Sequence, residues 1–342
     1  MTEYKSHIGI WDDSNHDIFM RSADERRAKR RFSRIGLSVL LYLLVSYTIV
    51  YVLQLLTLLF YGPEATVEYF SNIYIVFAIQ IFSMYIVAFP IFRLSLCGMR
   101  KKTRKKRGVG FGEFAILFFV AEFFMIAGNI IGTFITTFVS FFTGRLPINA
   151  VEELTAEAPI WLVFILVCVF APIFEELIFR KLIIDRLSVY GDRLAIVISS
   201  ILFGLFHGNF SQLFYATALG CVLGYLYCKG GKLRYSVLMH SIINFFGGVL
   251  PLLALSSSPD MPAQVALDLA FLKIIGLAFI QYGSAIVGCI LLIIGLCRGW
   301  WRISTHAEIS IPSGQRASVV FGSVGSAVTF ILLAATVILS VF

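Results

Sequence analysis

Long apolar blocks alternate with short polar segments along the whole chain. A transmembrane helix needs roughly 20 predominantly apolar residues, and nine blocks come near or exceed that length. They occupy residues 35–60, 73–97, 112–142, 159–183, 194–209, 211–228, 235–256, 266–297 and 317–342. The pattern therefore predicts an all-α, polytopic transmembrane helical bundle with about eight to nine membrane-spanning helices.

The last two blocks are the least regular. Residues 266–297 are too many for one span and include Lys273, so a surface helix followed by a crossing is an alternative. The block at 317–342 contains a stretch of small residues from Gly322 onward, which weakens its prediction as a span.

The charges of the polar segments predict an orientation. Residues 61–72 carry two glutamates and no Lys or Arg, and residues 143–158 carry three glutamates against one arginine. Residues 100–107 are almost all basic. Because basic loops stay in the cytoplasm, the amino terminus is predicted to be cytoplasmic and the loops alternate consistently from there.

Composition supports a membrane protein. The 342 residues are 58% hydrophobic and only 14% charged, which excludes a soluble globular domain. The formal net charge is +8, but half of the 28 basic residues lie in two clusters, at 21–34 and 100–107, that each adjoin an apolar block. The positive-inside rule explains both clusters, with anionic lipid as a secondary partner, so no nucleic acid is expected.

The six cysteines are scattered, mostly inside apolar blocks, and form no C-x-x-C pair. This distribution is typical of small buried hydrophobic residues. It indicates neither a disulfide framework nor a thiolate metal site.

Three charged residues lie inside the fourth block. Glu175 and Glu176 are adjacent, and Arg180 follows four residues after the second. A charged side chain at the centre of a bilayer costs at least about 2.5 kcal/mol, so such residues usually face a partner or a cavity. The pair Glu176–Arg180 has the i,i+4 spacing that places both on one helix face.

Polar residues in two neighbouring blocks match this depth. Two of the five histidines, His207 and His240, fall within apolar blocks, and Asn244 follows His240 at i,i+4. At about 1.5 Å per residue, all of them lie in one layer somewhat to the cytoplasmic side of the midplane. Three helices are therefore predicted to direct these side chains into one cavity with Glu175.

This set suits hydrolysis by water in two ways. A carboxylate and a histidine can activate water while a second histidine and an asparagine amide hold the oxyanion. Alternatively, Glu175, His207 and His240 can bind a divalent metal such as Zn²⁺ with water in an open position. The residues alone do not choose between these schemes.

The motifs resemble those of a known family. Glu175–Arg180 (EELIFR), Phe203–His207 (FGLFH) and His240–Asn244 (HSIIN) match, in order, the EExxxR, FxxxH and HxxxN motifs. These motifs identify the CPBP (CAAX protease and bacteriocin-processing, or Abi) intramembrane proteases, which include the type-II CAAX prenyl protease. The resemblance covers residues 158–248 and departs from the family at no motif position.

The resemblance implies roles for the motif residues. Glu175 and His207 would activate the water, His240 and Asn244 would form the oxyanion site, and the glutamate–arginine pair would support them. Members are usually named metalloproteases, and a metal-independent glutamate mechanism is also argued for them. The implied protein is an intramembrane endopeptidase acting on membrane-associated or lipidated peptides.

Its predicted location is a bacterial cell membrane, with the active site toward the cytoplasmic side. Two rivals are a non-catalytic bacteriocin-immunity protein and an ion-coupled transporter; the lack of an inverted repeat counts against the transporter. The chain is predicted to divide into a basic amino-terminal segment (1–34), accessory spans (35–157), a catalytic core (158–248) and carboxy-terminal spans (249–342).

Overall fold

A computed structural model describes residues 13–144, 158–256, 263–303 and 307–340. Within these ranges the chain forms helices and connecting loops, and no strand occurs among them. The all-α prediction is confirmed. Most of the predicted acidic loop at 143–158 lies outside the described residues.

Ten main helices follow one another through the described ranges, and three of them (α2, α4 and α7) contain π-helical turns. They are α1 (Asp13–Ser71), α2 (Ile73–Ser95), α3 (Phe111–Thr143), α4 (Ile160–Tyr190), α5 (Asp192–Phe206), α6 (Phe210–Gly230), α7 (Leu233–Leu255), α8 (Ala263–Cys297), α9 (Arg316–Phe321) and α10 (Val324–Leu339).

Six of these helices, α1, α2, α3, α4, α7 and α8, are long and apolar enough to cross a membrane. The other three predicted spans also form helices. However, α5 has 15 residues and α10 has 16, and at 1.5 Å per residue both fall short of a hydrocarbon core about 30 Å thick. Helix α6 has 21 residues, but polar residues such as Ser211 and Gln212 lower its hydropathy.

The two blocks with irregular patterns, residues 266–297 and 317–342, both contain helices. Helix α8 runs without a break from Ala263 to Cys297, through Lys273, so the alternative of a separate surface helix does not occur. The ninth block is interrupted between α9 and α10, where the Ser323 side chain accepts a hydrogen bond from the Ser326 amide and caps α10. Small residues at this point favour a cap over a continuous span.

Helix α1 passes through the first basic cluster and continues into the first span. Its residues Ala28, Phe32, Ile35 and Val39 are buried in the main core. Their spacing of three to four residues puts them on one face of the helix. The basic residues from Arg26 to Arg34 therefore lie on a helix that is anchored to the bundle.

Helices α3 and α6 approach closely at a GxxxG sequence. A Cβ atom added at Gly128 would lie 2.5 Å from the backbone of Tyr215, and one at Gly132 would lie 2.7 Å from the carbonyl oxygen of Phe210. Small residues at this spacing let two membrane helices pack backbone to backbone. This contact fixes α6 beside α3.

The core that positions the site lies where α4, α5 and α6 meet. Phe179, Ile183 and Ile184 of α4 are fully buried there, together with Leu202 of α5. In addition, the Ser199 hydroxyl of α5 donates a hydrogen bond to the Phe179 carbonyl oxygen at 2.8 Å. A hydroxyl bonded across a helix interface restrains the rotation of α5 against α4.

The second basic cluster is partly a buried structural element. Arg104 is almost completely buried, with Nε 2.9 Å from Asp185 Oδ1 and Nη2 3.3 Å from Asp192 Oδ1. Burial disfavours its charge, but the surrounding acidic side chains more than offset this and raise the pKa of Arg104. Arg107 N–H also donates to the Gly230 carbonyl oxygen, so the loop joins the ends of α4 and α6.

Replacing Arg104 with methionine is expected to lower the free energy of unfolding by about 1–3 kcal/mol, because buried carboxylates lose their donor. The loss stays moderate because Lys102 still contacts Asp192 and Lys181 still contacts Asp185. Thermal unfolding in detergent measures the effect. Lys106→Met, at an exposed position of the same loop, is the matched control; equal stability of the two variants would contradict a structural role.

Candidate active site

A buried ion pair lies in the middle of α4. Glu176 Oε2 is 3.1 Å from Arg180 Nε, and both side chains are fully buried. On its other side, Glu176 Oε1 accepts a hydrogen bond from His240 Nδ1 of α7 at 3.1 Å. The cation favours an ionised carboxylate, and that carboxylate fixes a proton on Nδ1 of the histidine.

Glu175 occupies the other side of the same histidine. Its Oε2 lies 3.6 Å from His240 Nε2, and its side chain is 19% exposed. Adjacent helix residues point in directions about 100° apart, and one imidazole ring has nitrogens on two sides, so His240 meets both glutamates. The Glu175 side chain is therefore accessible to water, whereas the Glu176 side chain is fully buried.

The glutamates stand between two π-helical segments of α4, Phe164–Phe170 and Leu177–Ile184. The short α-helical piece between them is Ala171–Glu176. π-helical turns are rare and are frequently found at functional sites. Here they change the helical register immediately before and after the residues that carry the site.

The Asn244 side chain supplies a hydrogen bond that the backbone of the first π-helical segment lacks. The Ala171 amide donates to the carbonyl oxygen of Leu166, five residues back. The next donor in that pattern would be residue 172, a proline, which has no N–H. The carbonyl oxygen of Val167 instead accepts a hydrogen bond from Asn244 Nδ2 at 2.8 Å. Asn244 therefore links α7 to α4 and keeps one amide hydrogen for another partner.

His207 ends α5 and has a defined tautomer. Its Nδ1 lies 2.7 Å from the carbonyl oxygen of Phe203. A carbonyl oxygen can only accept, so Nδ1 donates and the neutral ring keeps a free lone pair on Nε2. Within the described ranges, no hydrogen bond or ion pair joins His207 to either glutamate.

Phe203 is the packing centre of the site. The Arg180 guanidinium lies over its ring, with Cζ 4.6 Å from the centroid. The rings of His207 and His240 meet it nearly at right angles, with centroids 4.9 and 5.7 Å away. Arg180 has no hydrogen-bond acceptor of good geometry among the described residues, so the ion pair with Glu176 and this cation–π contact hold it.

The comparisons with known proteins concern the part of the chain that contains these residues. Residues 157–246 match a family model described as "Type II CAAX prenyl endopeptidase Rce1-like". Residues 157–246, here called the Rce1-like segment, are therefore similar to that family. The resemblance inferred from the three motifs is thereby confirmed.

Two bacterial relatives also match. UPF0177 protein YxdF of Lactococcus lactis subsp. lactis (strain IL1403) is 28% identical over 127 residues, which are 37% of this chain and 71% of that protein. "Putative membrane peptidase YdiL" of Bacillus subtilis (strain 168) is 30% identical over 145 residues, 40% of this chain and 57% of that protein. No solved structure matches the chain. The matches support a membrane protease.

The Rce1-like segment contains all six predicted site residues, and its contacts connect them in three ways. Direct polar contacts connect Glu175, Glu176, Arg180 and His240. His207 packs on the same Phe203 ring as His240. Asn244 is connected to α4 by its hydrogen bond to Val167. The sequence interpretation included Phe203 in the FxxxH motif but gave it no role in the site, although its i,i+4 spacing from His207 places both on one helix face.

The side chains do not fit a catalytic zinc site. Such a site needs three protein ligands around one ion. Glu175 and His240 approach each other, but the described part of the chain contains no group of three or more His, Cys, Asp or Glu side chains that could hold a metal ion. His207 is the predicted third ligand, and its contacts are with Phe203 instead.

Proposed function

We propose that the chain is an intramembrane endopeptidase that uses Glu175 to activate water. One observation carries this proposal. A partly exposed carboxylate faces a histidine whose other nitrogen is bonded to the buried, arginine-paired Glu176. A general base must be reachable by water. Glu175 meets this requirement with a side chain that is 19% exposed, and its contact with His240 supports its orientation. The Rce1-like match over the same segment supports peptide-bond hydrolysis as the reaction.

The proposed reaction needs only water and the peptide. Glu175 accepts a proton from water as the water oxygen attacks the carbonyl carbon, and the free Nε2 of His207 orients that water. The C–N bond then breaks as Glu175 returns the proton to the leaving nitrogen. The water oxygen ends in the new carboxylate, and no covalent intermediate with the enzyme forms.

His240 and Asn244 are proposed to hold the oxyanion. His240 Nδ1 already donates to Glu176, so His240 stabilises the oxyanion through Nε2, in its protonated form. Asn244 uses one amide hydrogen for Val167 and offers the other. Glu176 and its arginine partner orient His240, because a second carboxylate fixes the rotation of the ring.

The position of the site suggests the substrate class. A carboxylate within a bundle of apolar helices is best reached by a peptide that enters sideways from the bilayer, through an apolar or lipidated segment. The proposed partners are such a peptide or protein and the lipid bilayer, with no nucleic acid. Both relatives are bacterial, which supports a bacterial cell membrane; the basic segments support a cytoplasmic amino terminus and a site toward that side.

Peptide cleavage is expected to survive metal chelation. Purified protein in proteoliposomes is given two quenched-fluorescent peptides, one with a farnesylated CAAX end and one unmodified transmembrane peptide. Because the site offers too few ligands for zinc, EDTA and 1,10-phenanthroline should leave the rate within about twofold. A zinc protease assayed in parallel confirms that the chelators act. Loss of cleavage that added zinc restores would contradict the metal-free mechanism, and cleavage of neither peptide would contradict the proposed function.

A further inference from the structure

Two tyrosines from outside the Rce1-like segment pack against the site. Tyr85, in the π-helical turn of α2, stacks on Phe174 with ring centroids 4.2 Å apart. Tyr42 of α1 packs on Phe206 with centroids 5.7 Å apart. Phe174 immediately precedes Glu175, and Phe206 immediately precedes the histidine that ends α5. Each tyrosine ring therefore packs on the residue that immediately precedes one member of the proposed water-activating pair.

Both tyrosines lie within electrostatic range of the Glu175 carboxylate. The ring of Tyr42 also packs edge-on against Phe92 of α2, seven residues after Tyr85, with ring centroids 6.1 Å apart. Tyr42 therefore helps to fix the helix that carries Tyr85. Within the described ranges, neither hydroxyl makes a hydrogen bond to another group. A buried tyrosine hydroxyl usually finds a partner, so the uncommitted hydroxyl of the partly exposed Tyr85 is available to a ligand.

Each of the two proposed oxyanion donors has one of its hydrogens already committed to another group. His240 Nδ1 donates a hydrogen bond to Glu176, and Asn244 Nδ2 donates one to the carbonyl oxygen of Val167. An oxyanion needs preorganised donors that are not already used elsewhere. The tyrosine hydroxyls are neutral at physiological pH and donate without losing their protons.

We propose that the Tyr85 hydroxyl donates a hydrogen bond to the carbonyl oxygen of the scissile peptide bond, and that Tyr42 positions Tyr85. This inference rests on the proposed function and deepens it. Tyr85 is only partly buried and can touch the substrate, whereas Tyr42 is sealed in the core. Helices α1 and α2 thereby take part in the proposed reaction, because α1 contributes Tyr42 and α2 contributes Tyr85.

Phenylalanine substitutions remove the hydroxyls and keep the aromatic packing. With the two quenched peptides in proteoliposomes, Tyr85→Phe should lower kcat by about 10²-fold and change KM by less than about twofold, as expected for a donor that acts on the transition state. Tyr42→Phe should lower kcat by about tenfold, because it acts only through Tyr85. The unfolding temperature of both variants should match that of the wild type.

Matched controls lie on the same two helices. Tyr47→Phe in α1 and Tyr74→Phe in α2 remove hydroxyls from exposed tyrosines and should leave kcat unchanged. As a further test, 3,5-difluorotyrosine at position 85 keeps the hydroxyl but makes it more acidic. It should move the alkaline limb of the kcat–pH profile to lower pH, which a merely structural role would not do.

Each outcome decides the inference. Wild-type kcat in Tyr85→Phe overturns it. If that variant fails to fold, an unshifted pH profile of the difluorotyrosine protein overturns it instead. If wild type cleaves both peptides, Glu175→Gln does not and the tyrosine variants remain fully active, only this inference fails. If wild type cleaves neither peptide, the proposed function fails with it.

Discussion

Replacing Glu175 with glutamine is expected to lower kcat for peptide cleavage by at least about 10³-fold and to leave KM nearly unchanged. Glutamine has almost the same shape, but its amide cannot accept a proton from water. The contact between Glu175 and His240 is long, at 3.6 Å, and the side chain is partly exposed. The variant should therefore fold normally, and steady-state kinetics in proteoliposomes should isolate the loss of the base.

Glu122→Gln is the matched control for this substitution. Glu122 is another glutamate in a predicted span, but it is buried on α3 and lies outside the site. Its replacement should leave kcat within about twofold of wild type, as for a residue with no part in the transition state. A Glu175→Gln protein that retained more than about a tenth of wild-type kcat would assign the general base to another group.

The second large effect concerns the stability of the ion pair. Arg180→Met and Glu176→Gln should each lower the free energy of unfolding by about 3–5 kcal/mol, because each leaves an uncompensated buried charge. The double variant should be more stable than the sum of the single losses predicts, since it leaves neither charge. Both groups are fully buried and 3.1 Å apart, so the coupling should be measurable by denaturant unfolding in detergent.

Arg93→Met provides the control for general loss of positive charge. Arg93 is exposed near the end of α2, and its replacement should change stability by less than about 0.5 kcal/mol. Additive losses in the double variant would mean that Glu176 and Arg180 do not act as a pair. Full stability of Arg180→Met would contradict the burial of its charge.

Much of the site follows from local rules in the sequence. Apolar block length predicts where the long helices lie, because a span needs about 20 residues. Spacing of four residues predicts that Glu176 meets Arg180, since both lie on one helix face. These signals need no knowledge of the fold, and they placed His240 and the glutamates in one cavity.

The remaining features depend on contacts between distant parts of the chain. Neither the π-helical turns of α4 nor the bond from Asn244 to Val167 has a local hydrophobic pattern that would reveal it. In the sequence, Arg104 is one cation of a basic loop, but its partners Asp185 and Asp192 lie 81 and 88 residues further along the chain. Periodicity describes one helix at a time and cannot pair such residues.

The most direct test of the proposed mechanism is mass spectrometry of the peptide products formed in proteoliposomes in H₂¹⁸O, with wild type and with Glu175→Gln. Direct attack by water predicts that wild type releases a fragment whose new carboxylate carries one ¹⁸O atom, and that Glu175→Gln releases almost none of it. Equal amounts of this fragment from both proteins, or no cleavage by wild type, would contradict the central claim that Glu175 activates water for peptide hydrolysis.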